Sequence, residues 1–137
     1  MPRVLVIDDD PSTADLLREA LAPWRIDVAV ASGVQPAIDL LLTGAFIGVV
    51  LDLMISRGNS FDLLDAMRHA NITTRVIVTS SRPPAFANDL LNPTQVLTIL
   101  RKPFELDVVV AALLGLAGTQ PADAAKEPLR KSLFTSS

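Results

Sequence analysis

The chain opens Met1-Pro2-Arg3 and runs at once into Val4-Leu5-Val6-Ile7-Asp8-Asp9-Asp10-Pro11. Four consecutive apolar residues ended by acids read as a strand buried on both faces, the pattern of a parallel sheet. Pro11 stands where the next helix would start, since its missing N–H is an orphan there in any case. Two further apolar runs also end in charge: Phe46 to Leu51 stops at Asp52, and Val96 to Leu100 stops at Arg101-Lys102-Pro103. In open α/β sheets, ligands bind in the crevice outside the carboxyl ends of the strands. Strand ends carrying Asp8, Asp9, Asp52 and Lys102 are therefore expected to meet at one site, suited to a cation and a phosphoryl group.

Working outward, strand patterns at about 3–8, 26–31, 46–51, 75–79 and 96–100 alternate with helical ones. Alternation of this kind implies parallel βαβ units. Helices are expected from Pro11 to the break at Pro23, from Val34 to Thr43, from Ser60 to Ala70 and from Phe104 to Ala117, with a short one at Ala85 to Leu91. The expected fold is α/β: a flavodoxin-like, doubly wound, five-stranded parallel sheet of order 2-1-3-4-5 with helices on both faces. That order makes strands one and three neighbours and gathers Asp8, Asp9 and Asp52 around one crevice. Residues 1–118 read as one domain. From Gly118 the composition turns to Thr, Gln, Pro, Ala, Asp and Lys, so 119–137 are expected to be a tail, flexible or a short helix packing on the domain.

A length of 137 residues suits a single domain, and 50% hydrophobic residues suit a sheet covered on both sides. Cysteine is absent, which excludes disulfides and thiolate metal sites and fits a cytoplasmic location. A net charge of -3 without a basic run argues against direct nucleic-acid binding. No apolar stretch approaches the ~18 residues of a membrane span, and a secretory signal is not expected.

Close carboxylates repel one another, and a hard divalent cation relieves that repulsion. Magnesium accepts a few carboxylates with retained waters and phosphate oxygens. With no cysteine and a single histidine, His69, on a helix, zinc and copper are not expected. Asp10, directly before Pro11, is expected to cap the first helix. His69 reads as a solvated surface residue and Trp24 as a plug at the core. In the last helix, the run Val-Val-Val-Ala-Ala-Leu-Leu-Gly-Leu-Ala after Asp107 lacks the polar face that a surface helix shows. Its outer face is expected to be covered by a second copy, a partner or the chain's own tail, where Leu129, Leu133 and Phe134 fall close to helical spacing.

The segments VLVIDDDP, VVLDLM, VIVTSS and LRKPF, in this order on successive strands, resemble the response-regulator receiver family of two-component signalling over residues 3–117. The resemblance implies that Asp52 accepts a phosphoryl group from a histidine kinase or a histidine phosphotransfer protein. It implies Mg²⁺ held by Asp8, Asp9, Asp52 and the backbone carbonyl of Met54. Lys102 would pair with a phosphoryl oxygen, and the peptide before Pro103 would be cis. The family's strand-four pattern places the phosphate-contacting hydroxyl on Ser80; a strand ending at Val78 would select Thr79 instead.

The implied protein is a stand-alone switch rather than an enzyme, with at most self-phosphorylation and autodephosphorylation. It would signal to a downstream protein or through a homodimer on the face of the last helix. Two alternatives stand beside this reading. A haloacid-dehalogenase-like phosphatase nearly matches Asp8-Asp9-Asp10 but leaves Asp52 without a role, and a pseudo-receiver scaffold would need no phosphate. The chain departs from the family in three places. Ile99 replaces an aromatic residue, and there is no tyrosine. Ser56 and Ser60 stand for the usual proline and glycine, and Asn92-Pro93-Thr94-Gln95 precedes the last strand.

Overall fold

The alternating pattern produces five strands and four helices in a computed structural model that describes residues 2–55, 58–81 and 91–118. The tail at 119–137 and nearly all of the short helix expected at 85–91 lie outside those residues, as does Ser56. The strands are β1 (Arg3–Ile7), β2 (Asp27–Ala31), β3 (Gly48–Asp52), β4 (Val76–Ser80) and β5 (Val96–Arg101). The helices are α1 (Pro11–Leu21), α2 (Val34–Thr43), α3 (Ser60–His69) and α4 (Leu106–Ala117). All four strand pairings are parallel, in the order β2-β1-β3-β4-β5.

Strand periodicity divides the core into two layers. Leu5, Ile7, Val49, Leu51, Val76 and Val78 face one way and pack with Leu41 of α2 and Leu63, Leu64 and Met67 of α3. Val4, Val6, Val50 and Ile77 face the other way, against Leu17 and Leu21 of α1 and Val110, Leu113 and Leu114 of α4. The strands are apolar on both sides because both sides are covered. Gly48 lets α4 approach the sheet: a Cβ there would stand 3.0 Å from Leu113 Cδ2 and 3.1 Å from Leu116 Cδ1.

The boundaries differ from the sequence expectation in an instructive way. β3 continues through Asp52 and β4 through Ser80, because Asp52 pairs with Thr79 and Ser80 with Arg101. Backbone pairing sets these strand ends, not the end of the apolar run. After α1 the chain makes a 3₁₀ turn at Ala22–Trp24 and reverses through Arg25, whose φ is 56°. α4 starts at Leu106, two residues later than expected, with Phe104 packed on the second layer instead. Trp24 also packs there, and its indole N–H is buried without a partner among the described residues. His69 is exposed, with Nδ1 2.8 Å from the Asp65 carbonyl oxygen. On α4, Val108 is 47% exposed, so the apolar outer face foreseen from the sequence is present among the described residues.

Candidate functional site

β1, β3 and β5 deliver their terminal residues to the same edge of the sheet. Asp8 follows the last residue of β1, Asp52 ends β3, and Lys102 follows the last residue of β5. The Lys102 ammonium lies between the two acids, donating to Asp8 Oδ2 at 2.9 Å and to Asp52 Oδ2 at 3.0 Å. The side chains of Asp8 and Asp52 are only 2% and 10% exposed, whereas that of Lys102 is 26% exposed. The cluster is therefore a nearly dry pair of carboxylates half compensated from the solvent side.

The remaining oxygens are also engaged. Asp8 Oδ1 accepts the Asp10 N–H at 2.9 Å, and Asp8 Oδ2 accepts the Thr13 hydroxyl at 3.1 Å. Asp52 Oδ1 accepts the Met54 N–H at 2.8 Å. The Lys102 N–H donates to the Ser80 carbonyl at 2.7 Å, which ties the base of the lysine to the end of β4. The Lys102–Pro103 peptide is cis, as the resemblance implied. Desolvation is the largest influence on the Lys102 ammonium and pulls its pKa down. The hydrogen bonds and charges of Asp8 and Asp52 together outweigh it, leaving a net upward shift.

Asp10 separates from the other acids. Its carboxylate accepts the Ser12 N–H at 3.0 Å and caps α1. Hydrogen bonds from the Ser12 backbone and hydroxyl hold its carboxyl below the usual range. Asp9 is exposed beside the pair. Among the described residues, no three His, Cys, Asp or Glu side chains converge into a ready-made metal cage. Magnesium does not require one, since it binds through one or two carboxylates and keeps several waters. The facing carboxylates of Asp8 and Asp52 are hard oxygen donors, and their need for a countercharge fits that ion.

Both candidate hydroxyls are buried, Thr79 at 0% and Ser80 at 2% exposure. Thr79 pairs with Asp52 across the ladder, and its Oγ1 has no hydrogen-bond partner among the described residues. Two site residues escaped the sequence reading. Thr13 reaches back from the first turn of α1 to Asp8, and its position two residues past Pro11 was the available signal. Ser60 donates its hydroxyl to the Asp52 carbonyl at 2.7 Å while only 1% exposed. Its signal was the departure from glycine. Beside the cluster a cavity of about 400 Å³ is lined by Asp10, Leu16, Lys102, Phe104 and Leu106, among others.

Residues 4–114 match the family described as the response regulator receiver domain. The chain belongs to that family. Among curated proteins, this receiver domain is 26% identical over 113 residues to the transcriptional regulatory protein DltR of Streptococcus agalactiae, covering 81% of this chain and 50% of that protein. The chain thus spans about half the length of that curated relative. Among solved structures, a receiver domain of the Francisella response regulator 1452 superposes with a TM-score of 0.76 at 28% identity, covering 86% of this chain and 98% of that one. The Thermotoga maritima response regulator TrrA, solved in complex with Mg²⁺-BeF, has the same fold, with a TM-score of 0.70 at 21% identity over 85% of this chain and 99% of that one. Receiver domains are signalling domains, and the family match favours that class over a phosphatase of the haloacid-dehalogenase type. No helix among the described residues is long and apolar enough to cross a membrane.

Proposed function

We propose that this receiver domain accepts a phosphoryl group on Asp52 from a phosphohistidine of a kinase or phosphotransfer protein, in a magnesium-dependent step. The observation that carries the reading is the Lys102 ammonium held between Asp8 and Asp52, at 2.9 and 3.0 Å. An ammonium and a dry carboxylate pair at a strand-end crevice are the parts that phosphoryl transfer to a carboxylate needs.

In the step itself, a carboxylate oxygen of Asp52 attacks phosphorus. The new O–P bond forms as the donor's N–P bond breaks, and the bonding pair leaves with the imidazole. The Met54 N–H on Oδ1 fixes the orientation of the Asp52 carboxylate. Lys102 turns from the carboxylates to an oxygen of the arriving phosphoryl group. Magnesium, when held by Asp8, Asp9, Asp52 and the Met54 carbonyl, supplies charge neutralisation on the phosphoryl oxygens. The product brings roughly -1.5 to -2 charge and new acceptor oxygens to the crevice. Ser80, whose carbonyl already holds the Lys102 backbone, is the hydroxyl assigned to those oxygens. Its recruitment would move the end of β4 and change the surface offered to a partner.

Ile99 stands where the family relies on an aromatic side chain, so the signal leaves by another route. It goes to a downstream protein or a second copy through contacts such as the exposed Val108 face of α4. A kinase-fed switch of this kind acts in the cytoplasm and does its work by binding rather than by turnover. Intact-mass measurement after incubation with acetyl phosphate and Mg²⁺ tests the reading. We expect one added phosphoryl group in the wild type, none in Asp52→Asn and none with EDTA. A phosphoryl group retained in Asp52→Asn would overturn it.

A further inference from the structure

The geometry points to Ser60 as a positioning residue for phosphoryl transfer at Asp52. It holds the acceptor's own backbone by a hydrogen bond from the start of α3. The inference rests on the proposed function and adds to it a residue that touches neither metal nor phosphate.

β3 ends in a residue whose backbone and side chain must both be fixed before the chemistry works. Asp52 Oδ1 is held by the Met54 N–H, and Leu53 N–H donates to the Thr79 carbonyl at 3.0 Å, which anchors the first residue of the segment to β4. From there to α3 the chain carries the Met54 carbonyl, the proposed backbone ligand. The far end of the segment is anchored separately. Asn59 caps α3 through its side chain, accepting the Phe61 N–H at 2.8 Å, and Ser60 is the helix's first residue. The Ser60 hydroxyl then reaches across to the Asp52 carbonyl at 2.7 Å, in a site that is 1% exposed.

A buried hydroxyl bond closing a short segment removes conformational freedom at both of its ends. Here one end is the acceptor and the other is the start of a helix packed into the core through Leu63, Leu64 and Met67. The rigid helix therefore sets the height of Asp52 and Met54 together. Gly58 serves the same placement: its φ is 97°, and a Cβ there would stand 2.7 Å from Val34 Cγ2, so Gly58 packs tightly against the start of α2. A glycine at position 60 would lose the bond to the Asp52 carbonyl.

The test compares Ser60→Ala and Ser60→Gly with Asn59→Ala, which removes the helix cap but leaves the Ser60–Asp52 bond. Calorimetric titration with MgCl₂ and the rate of acetyl-phosphate-driven phosphorylation are read on each, together with amide exchange at Leu53, Met54 and Ile55. Both Ser60 variants should bind Mg²⁺ about five-fold more weakly, the equivalent of one ordinary hydrogen bond. They should also phosphorylate more slowly and exchange faster at those amides. Asn59→Ala should lose thermal stability and keep the wild-type affinity. Ser60 variants matching the wild type would overturn the inference, and so would Asn59→Ala weakening Mg²⁺ binding as much as Ser60→Ala does. A wild type that takes up neither Mg²⁺ nor phosphoryl would instead refute the proposed function.

Discussion

Replacing Lys102 by methionine removes one charge and keeps the length of the alkyl stem. In the native structure that charge faces Asp8 Oδ2 at 2.9 Å and Asp52 Oδ2 at 3.0 Å, on side chains 2% and 10% exposed. Removing one partner of a buried ion pair costs ~3–5 kcal/mol, because the other charge is left without compensation. Lys102 is 26% exposed, so water returns part of that loss, and about 2–3 kcal/mol is expected in the metal-free variant. Lys102→Arg keeps the charge and should recover part of it. Magnesium then stabilises the two proteins to different extents. In Lys102→Met the bare acid pair welcomes the cation, and saturation at a hundred times Kd contributes about 2.7 kcal/mol. In the wild type the ammonium already offsets one of the pair's two charges, so the stabilisation by the same Mg²⁺ concentration is smaller. Urea denaturation in EDTA and in MgCl₂ measures all four states. Equal stability of wild type and Lys102→Met in EDTA, or an equal response to Mg²⁺, would refute the placement of the ammonium as the countercharge.

The pKa of Lys102 gives a pH signature of the same contact. A folded pKa raised above the ordinary 10.5 means its contribution is complete below that value and is lost as pH rises through the folded pKa. Wild-type stability should therefore fall more steeply in that alkaline window than Lys102→Met stability, as read by urea midpoints across the range. Thr79→Val removes a buried hydroxyl that has no partner among the described residues, so it should be neutral or stabilising by up to about 1 kcal/mol. If Ser80 is the phosphate-contacting hydroxyl, Thr79→Val keeps its beryllofluoride response, whereas Ser80→Ala loses it; NMR shifts at the end of β4 report which. Gly58→Ala forces a side chain into a φ of 97° and against Val34, with an expected cost of about 1–3 kcal/mol in thermal or chemical denaturation.

Much of this was legible in the sequence because parallel strands announce themselves. Val4 to Ile7 and Val49 to Leu51 are apolar at every position, and the acids that stop them mark the carboxyl edge of the sheet. Asp10 could also be assigned to capping from Pro11 alone, and its bond to Ser12 N–H bears this out. The strand ends were less legible. Asp52, Thr79 and Ser80 are polar yet still paired, and hydropathy carries no record of a ladder bond. Individual bonds between distant residues were less legible still. The strand ends already gathered Lys102 with Asp8 and Asp52 at one crevice, but nothing in the linear order joins Ser60 to the Asp52 carbonyl until the fold is built. The family motifs could not supply that contact either, because the family's usual glycine has no hydroxyl.

The central claim is that Asp52 is the carboxylate that takes the phosphoryl group. Borohydride reduction of the phosphorylated protein converts an acyl phosphate on aspartate into homoserine, which peptide mass spectrometry locates. The account predicts homoserine at position 52 and at no other acid, dependent on both Mg²⁺ and the phosphoryl donor. Homoserine at position 8, 9 or 10, with Asp52 unchanged, would contradict it.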